Sequence, residues 1–183
     1  MSKAAEYGYA LYELSAEEDI EKDIEKEFAE IKGVLESNED FVLLLTNPRI
    51  PTSERIKVLD NVLNKQVHPY LLSLLKILIE KREIALAPLV FDEFRNKYYK
   101  EKNILQVTAI SAVVLNDNQK QQIIDKLVKL MNKTIILENK VDSTCIGGIR
   151  LVYPGHMIDA SIKNRLKKLQ SVIQNADYSQ AEV

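Results

Sequence analysis

The order of apolar and polar positions divides the chain near residue 103: before it apolar residues recur at helical spacing, and after it β-branched, partly alternating runs take over. The pattern predicts a short helix over residues 3–15 and a longer amphipathic one carrying Ile20, Ile24, Phe28, Ile31 and Leu35. Asn38 is placed to cap a third helix bearing Phe41 to Leu45, which Asn47-Pro48 closes because the residue before a proline avoids helical angles. Thr52 or Ser53 starts a fourth, with Ile56, Leu59 and Leu63 on one side. Pro69 fits the first position of a fifth, Tyr70 to Lys81, with His68 leading into it. Seven of the nine residues from Leu71 to Ile79 are apolar, so this helix lies at the centre of a bundle or is covered by something else. Pro88 opens a sixth, through Phe94 and Tyr98 to about Lys102.

The second part reads differently. Ile104 to Ser111 carries a strand signal. Asn116 and Gln119 form a capping box for a helix reaching Met131, with Ile123, Leu127 and Leu130 inward. Thr134–Leu137 and Ile146–Val152 are expected as further strands joined across Val141-Asp142-Ser143. Gly147 and Gly148 mark a bend or a close backbone approach. Ile149 to Tyr153 is broken by Pro154-Gly155, and a short run, Met157-Ile158, stops at Asp159. Ser161 then caps a helix whose Ile162, Leu166, Leu169 and Ile173 form one stripe. No repeat or low-complexity linker interrupts the chain. The fold expected is mainly α: a helical bundle over residues 1–103, then a small α/β domain over 104–183.

Composition narrows what such a chain does. Its 183 residues suffice for one sizeable core or two small ones. No run of about eighteen apolar residues is present, and the first residues lack the order of a signal peptide, so the chain is expected to stay where it is made. A single cysteine, Cys145, excludes an internal disulfide and reads as a small buried hydrophobe. The net charge of −2 argues against general nucleic-acid binding. That charge is uneven. From Glu13 to Asp40 twelve acids face three lysines, whereas Lys163, Arg165, Lys167 and Lys168 stand together without an acid. Such patches are either solvated helix faces or the marks of different partners at the two ends.

Catalytic grammar is missing. There is no Walker loop, no G-x-G-x-x-G and no G-x-S-x-G elbow, and Gly147-Gly148 lacks the lysine or helix start that would hold a phosphate. Two histidines and one cysteine are too few for a typical zinc site. His156, Asp159 and Arg165 could be drawn together as an acid–base cluster, yet Asp159 and Ser161 are better explained as cap residues. No catalytic residue, cofactor or metal is therefore expected.

Four segments carry a family resemblance. Tyr7-Gly8-Tyr9-Ala10-Leu11-Tyr12-Glu13-Leu14 at the start, Asn47-Pro48 followed by Lys57-Val58-Leu59, Glu80 to Leu89, and Val141 to Leu169 occur in an order that resembles the delta subunit of F-type ATP synthase, the homologue of the mitochondrial oligomycin-sensitivity-conferring protein. The chain departs from that pattern where Gly8 and Ala160 exchange the usual Ala and Gly, where Ala87 precedes Pro88, and at Ser143. The resemblance implies a six-helix N-terminal domain and an α/β C-terminal one. It also implies a non-catalytic stator subunit that links the α3β3 head to the b-subunit stalk and resists rotation, held peripherally at the cytoplasmic face of a bacterial membrane only through the complex.

Partner surfaces follow as expectations. Tyr7, Ala10 and Leu14 fall at i, i+3 and i+7 on helix 1, and Ser73, Ile77 and Glu80 form the matching row on helix 5, which the resemblance also indicates; together they would receive the N-terminal helix of an α subunit. Ile146, Arg150, Val152, Lys163, Arg165 and Lys167 would hold the C-terminal end of b, through an exposed strand edge or an apolar helix face beside the basic side chains. Gly147, Gly148, Asp159 and Ser161 would shape turn and cap. The alternative is a small enzyme with its pocket at the C-terminal turn region.

Overall fold

A computed structural model describes residues 2–63, 67–143, 145 and 147–160. It is mainly helical with one four-stranded sheet, and the chain forms two compact units, Met1–Lys102 and Asn103–Val183. The first holds α1 (Lys3–Glu17), α2 (Glu21–Ser37), α3 (Glu39–Thr46), α4 (Thr52–Leu63), α5 (Pro69–Glu80) and α6 (Ala87–Glu101), with a 3-10 turn at Ile84–Leu86 that the sequence pattern does not announce. The second holds β1 (Ile104–Ser111), α7 (Asp117–Met131), β2 (Thr134–Val141), β3 (Ile149–Tyr153) and β4 (His156–Asp159).

Local chemistry explains the helix ends. Pro69 occupies the first turn of α5, where a missing N–H costs nothing, and His68 Nδ1 accepts the amide hydrogen of Tyr70 at 3.3 Å. Asn38 behaves otherwise than its cap role predicts. It stands between α2 and α3, and its amide donates backwards, to Val34 O at 3.0 Å and Ser37 Oγ at 3.1 Å, serving an orphan carbonyl of α2 in place of an amide of α3. On α4 the buried set is Arg55, Leu59 and Leu63, with Ile56 only half-buried. Arg55 is 2% exposed and donates to Leu45 O and Thr52 Oγ1, which ties the α3–α4 connection to the bundle.

The first unit packs α1 and α2 against α6, and α4 and α1 against α5. Its core includes Leu11, Ile24, Phe28, Leu75, Leu78, Phe91 and Phe94, with Phe28 and Phe91 edge to face at 5.2 Å. Gly8 is why α1 and α6 come so close. A Cβ placed there would lie 2.8 Å from both Phe94 N and Val90 O, backbone atoms with no rotamer to yield. The residue that departs from the family's usual alanine is thus a packing device of the α1–α6 pair.

Asn103 turns the chain from helix to strand in the left-handed region, φ 54, and its side chain donates to the carbonyl of Asn132, itself left-handed at φ 51. The strands run in the order β2-β1-β3-β4. β1 and β2 are parallel, paired from Ile104 with Thr134 to Ser111 with Val141, joined through α7. β3 is antiparallel to β1 and to β4, and Pro154-Gly155, with Gly155 at φ 75, makes the tight turn between β3 and β4. Val107, Ile135 and Leu127 form the core, with Leu105, Ile123, Ile124, Leu137, Leu151 and Tyr153 packed on it.

Several expectations change here. β2 reaches Val141 because pairing with β1 carries it through the polar Glu138-Asn139-Lys140. Asn139 makes that continuation specific: it donates to Ala109 O and Ser111 Oγ and accepts from Leu115 N. β2 and β3 are not neighbours, since β1 lies between them. β3 begins at Ile149, and Ile146 lies outside the described residues. The capping box at Asn116 and Gln119 is complete, but Leu130 is 78% exposed: the stripe packed on the sheet is Ile123, Ile124 and Leu127, and it ends one turn before α7 does.

Candidate functional site

The α1–α5 surface holds a cleft of about 170 Å³, lined by Tyr7, Ala10, Leu11, Leu14, Tyr70, Ser73, Leu74 and Ile77. The helical period produces it. Tyr7, Ala10, Leu11 and Leu14 fall on one face of α1, and Tyr70, Ser73, Leu74 and Ile77 repeat the same spacing on α5. Leu11 and Leu74 are the buried floor. Leu14 and Ile77, 44% and 41% exposed, are apolar rims, and Ala10 and Ser73 leave the space between. Of the residues expected on this surface, Glu80 lies outside the cleft, exposed in the last turn of α5. Leu11, Tyr70 and Leu74 were missed, although an i, i+4, i+7 count from Tyr70 finds Leu74 and Ile77 together.

The rest of α5 is covered by its own bundle: Leu71, Leu72, Leu74, Leu75, Leu78 and Ile79 are all buried. Its apolar excess is therefore smaller than its sequence suggests, and what remains exposed is concentrated at Ile77.

A tyrosine and a glutamate meet at each end of the cleft. Tyr7 donates its phenol hydrogen to Glu83 Oε2 at 3.3 Å, and Lys3 pairs with the other oxygen of that carboxylate. At the far end Tyr70 donates to Glu18 Oε1. These contacts shift the pKa values of the groups involved. Desolvation, then the Glu83 charge, raises the Tyr7 phenol above its ordinary value, while for Tyr70 the hydrogen bond to Glu18 is the first cause of an upward shift. The Lys3 hydrogen bond leads in holding Glu83 below the usual carboxylate value. Both phenols thus stay protonated and hydrogen-bonded over the physiological range.

In the second unit Arg150 and Val152 stand on one face of β3, half-buried, and Arg150 Nε is 3.9 Å from Asp159 Oδ2 on β4. The expectation of an exposed edge at Ile146–Val152 does not hold for the described part, because β3 is hydrogen-bonded on both sides and the edges belong to β2 and β4. Asp159 closes β4 opposite Arg150. His156 stacks on Tyr153 at 5.2 Å, so the two candidate acid–base residues have separate neighbours. Gly148 takes the left-handed region, φ 86. Cys145 is buried, 5% exposed. Ile146, Ser161, Lys163, Arg165 and Lys167, with the helix expected after Ser161, lie outside the described residues. Among the described residues no group of three or more His, Cys, Asp and Glu side chains is gathered for a metal, and no helix is long and apolar enough to cross a membrane.

A helical bundle that presents a cleft two helices wide, apolar inside and polar at its ends, has the form of a protein-binding subunit. The chain belongs to the ATP synthase delta (OSCP) subunit family, whose sequence model matches residues 4–173. ATP synthase subunit delta of Clostridium botulinum (strain Loch Maree / Type A3) is 26% identical over 167 residues, covering 91% of this chain and 93% of its own. That of Nostoc punctiforme is 28% identical over 174 residues, covering 94% and 95%. A chain of the Toxoplasma gondii mitochondrial ATP synthase hexamer shares the fold with a TM-score of 0.72 at 20% identity, over 95% of this chain and 98% of that one. The chain is accordingly a non-catalytic, peripheral-stalk subunit of an F-type ATP synthase, and the reading as a small enzyme with a pocket at the C-terminal turn has no support.

Proposed function

We propose that this subunit joins the catalytic α3β3 head to the stalk by holding one helical segment on each of its two domains, residues 1–103 as a six-helix bundle and 104–183 as an α/β domain. The N-terminal segment of an α subunit docks as an amphipathic helix between α1 and α5. The C-terminal end of b docks on the second domain at Ile146, Arg150 and Val152, together with Lys163, Arg165 and Lys167, whose basic side chains suit an acidic stalk helix. The subunit resists rotation of the head without doing chemistry, and it meets the cytoplasmic face of a bacterial membrane only through the complex.

The observation that carries this reading is the cleft between α1 and α5. Leu14 and Ile77 remain exposed on opposite rims over a floor of Leu11 and Leu74, the arrangement that takes the i, i+3, i+4, i+7 anchors of a helix. Replacing Ala10, which is exposed in the middle of the cleft, with aspartate puts a charge where the partner's apolar face would desolvate it, at a cost on the order of 2 kcal/mol or about thirtyfold in Kd. Titration calorimetry of the full chain with an α N-terminal peptide measures this. Unchanged affinity for Ala10→Asp, with the helical circular dichroism intact, would remove the groove from this surface.

A further inference from the structure

β2 is an edge strand, and two backbone hydrogen bonds at its ends decide which of its groups face outward. Thr134 N donates to Asn103 O at 3.1 Å and Asp142 N to Ser111 O at 2.9 Å, so the even-numbered residues of β2 turn their amides towards β1. Backbone groups alternate in direction along a strand, which leaves the N–H and C=O of Ile135, Leu137, Asn139 and Val141 directed along the open edge. Side chains alternate as well. Ile135, Leu137 and Asn139 belong to the face packed under α7 and the loop before it, whereas Thr134, Ile136, Glu138 and Lys140 are exposed on the other face. At eight residues, about 26 Å, β2 is long enough to template another strand; the opposite edge, β4, has four residues. Edges of this kind are guarded by charge when the charges repel a copy of themselves. Glu138 and Lys140 are opposite in sign and two positions apart on one face, so they do the reverse.

We propose that this edge pairs with a second copy of the chain, β2 antiparallel to β2, about a two-fold axis at Asn139. An axis that makes the strands antiparallel stands perpendicular to the sheet, so each face continues into the same face of the other copy. Residues directly opposite each other then share a face, and only registers centred on a residue remain. Charge separates those registers. Centred on Glu138 or Lys140, the pairing sets like charges opposite each other; centred on Leu137, it sets Glu138 opposite Ile136 and Lys140 opposite Thr134. Registers centred beyond Lys140 run off the end of the strand. Centred on Asn139, the pairing sets Glu138 opposite Lys140 on both sides of the axis, and Leu137 opposite Val141, which is 53% exposed. Leu137, Asn139 and Val141 exchange the main-chain hydrogen bonds, and each Glu–Lys couple falls at a non-hydrogen-bonded site, where opposing side chains stand closer. This pairing belongs to the free subunit and does not rest on the α and b docking sites, since β2 carries none of the residues assigned to them.

An overlap of Leu137 to Val141 is a small interface, in the weak class below about 1,200 Å² of buried surface, so the full chain is followed by sedimentation from about 10 µM to about 1 mM. A monomer passing to a dimer over that range is expected. Hydrogen exchange read by NMR should then show the amides of Leu137, Asn139 and Val141 gaining protection in the dimer, and those of Ile136, Glu138 and Lys140, which face β1, unchanged. Glu138→Lys alone, or Lys140→Glu alone, sets like charges at both couples and should weaken the dimer about tenfold or more, with the dichroism unaltered because both positions are exposed. Glu138→Lys combined with Lys140→Glu should restore the parent affinity, and the two single variants mixed together should pair with each other. A chain that stays monomeric at about 1 mM overturns the proposal, even if an added extended peptide protects the same three amides, because the edge then takes a foreign strand. Dimerisation that the single variants leave unchanged, or that protects other amides, overturns it too. Weakening in the single variants without recovery in their mixture rules out the register centred on Asn139.

Discussion

Gly8→Ala is the smallest change with a large expected effect, because the added methyl group meets backbone on two sides. A Cβ at this position would stand 2.8 Å from Phe94 N and from Val90 O, and 3.0 Å from Glu93 Cβ. Only the last of these belongs to a side chain. Relief therefore requires α1 and α6 to separate, and overpacking of this kind costs about 1–3 kcal/mol, with the upper end appropriate to a rigid backbone neighbour. Against this stands the helix preference of alanine over glycine, about 1 kcal/mol. The net is a destabilisation of about 2 kcal/mol, or roughly 4–8 °C in the Tm of a chain this size. Gly33→Ala is the matched control. Gly33 lies inside α2, exposed, with nothing within 4 Å of its would-be Cβ, so the same substitution should stabilise by about 0.5–1 kcal/mol. Thermal unfolding followed by far-ultraviolet dichroism reads both. A Gly8→Ala protein that melts at or above the parent temperature, beside a Gly33→Ala protein that is more stable as expected, would refute the claim that α1 and α6 touch through backbone at Gly8.

Other outcomes follow from single features. Asn116→Ala removes the side-chain half of the capping box at the start of α7 and should cost about 0.5–2 kcal/mol, measured by denaturant unfolding, while leaving the α peptide's affinity unchanged. Gly148→Val forces a β-branched residue into φ 86 and should cost about 1–3 kcal/mol; normal stability with lost coupling in reconstituted synthase would contradict a purely structural role. Burial first, then the Glu25 carboxylate, pushes the Tyr99 phenol from 10.0 to about 12. Because this value is raised on folding, its contribution is whole below pH 10 and fades as pH climbs towards 12; after discount for partial exposure it is on the order of 1 kcal/mol, and Tyr99→Phe should remove that part of the alkaline slope in urea midpoints.

How much could be read in advance depended on whether the cause was local. Proline at the start of α5, the capping box of α7 and the β-branched run of β1 act through neighbouring atoms, and each element sits where those residues place it. The cleft was legible for the same reason, since Tyr7, Ala10 and Leu14 share a face by helical period alone. Causes at long range were hidden. Gly8 reads as a helix weakener until Phe94 arrives from 86 positions away, and Glu138 to Lys140 read as loop until β1 pairs with them. Strand order is hidden in the same way: nothing between Val141 and Ile149 states that β3 will cross to the far side of β1 and lose the free edge it was expected to offer. Arg55 is a charge that local polarity assigns to solvent, yet the carbonyl of Leu45 and the hydroxyl of Thr52 bring it inside.

The small residues of α1 bear directly on the proposed role as a connector, which must not give under torque. Gly8 and Ala10 are two positions apart, about 200° around the helix, so one faces α6 and the other faces the cleft. In the proposed assembly, a partner helix seated on Ala10 would push α1 towards a contact already closed to backbone distance, where interior packing leaves no slack to compress. That load would pass sideways into α6, which packs on α1 and buries Phe91 and Phe94. The two sides of the helix are consequently separable by mutation. Enlarging residue 8 loosens the support and lowers Tm, and moves the cleft wall that carries Tyr7, Ala10 and Leu14 along with it. Enlarging or charging residue 10 is expected to leave the support intact and to remove the proposed guest. A connector whose stiffness came instead from the partner helix alone would show the reverse: Gly8→Ala without effect on the unbound subunit, and a deficit only in the assembled complex.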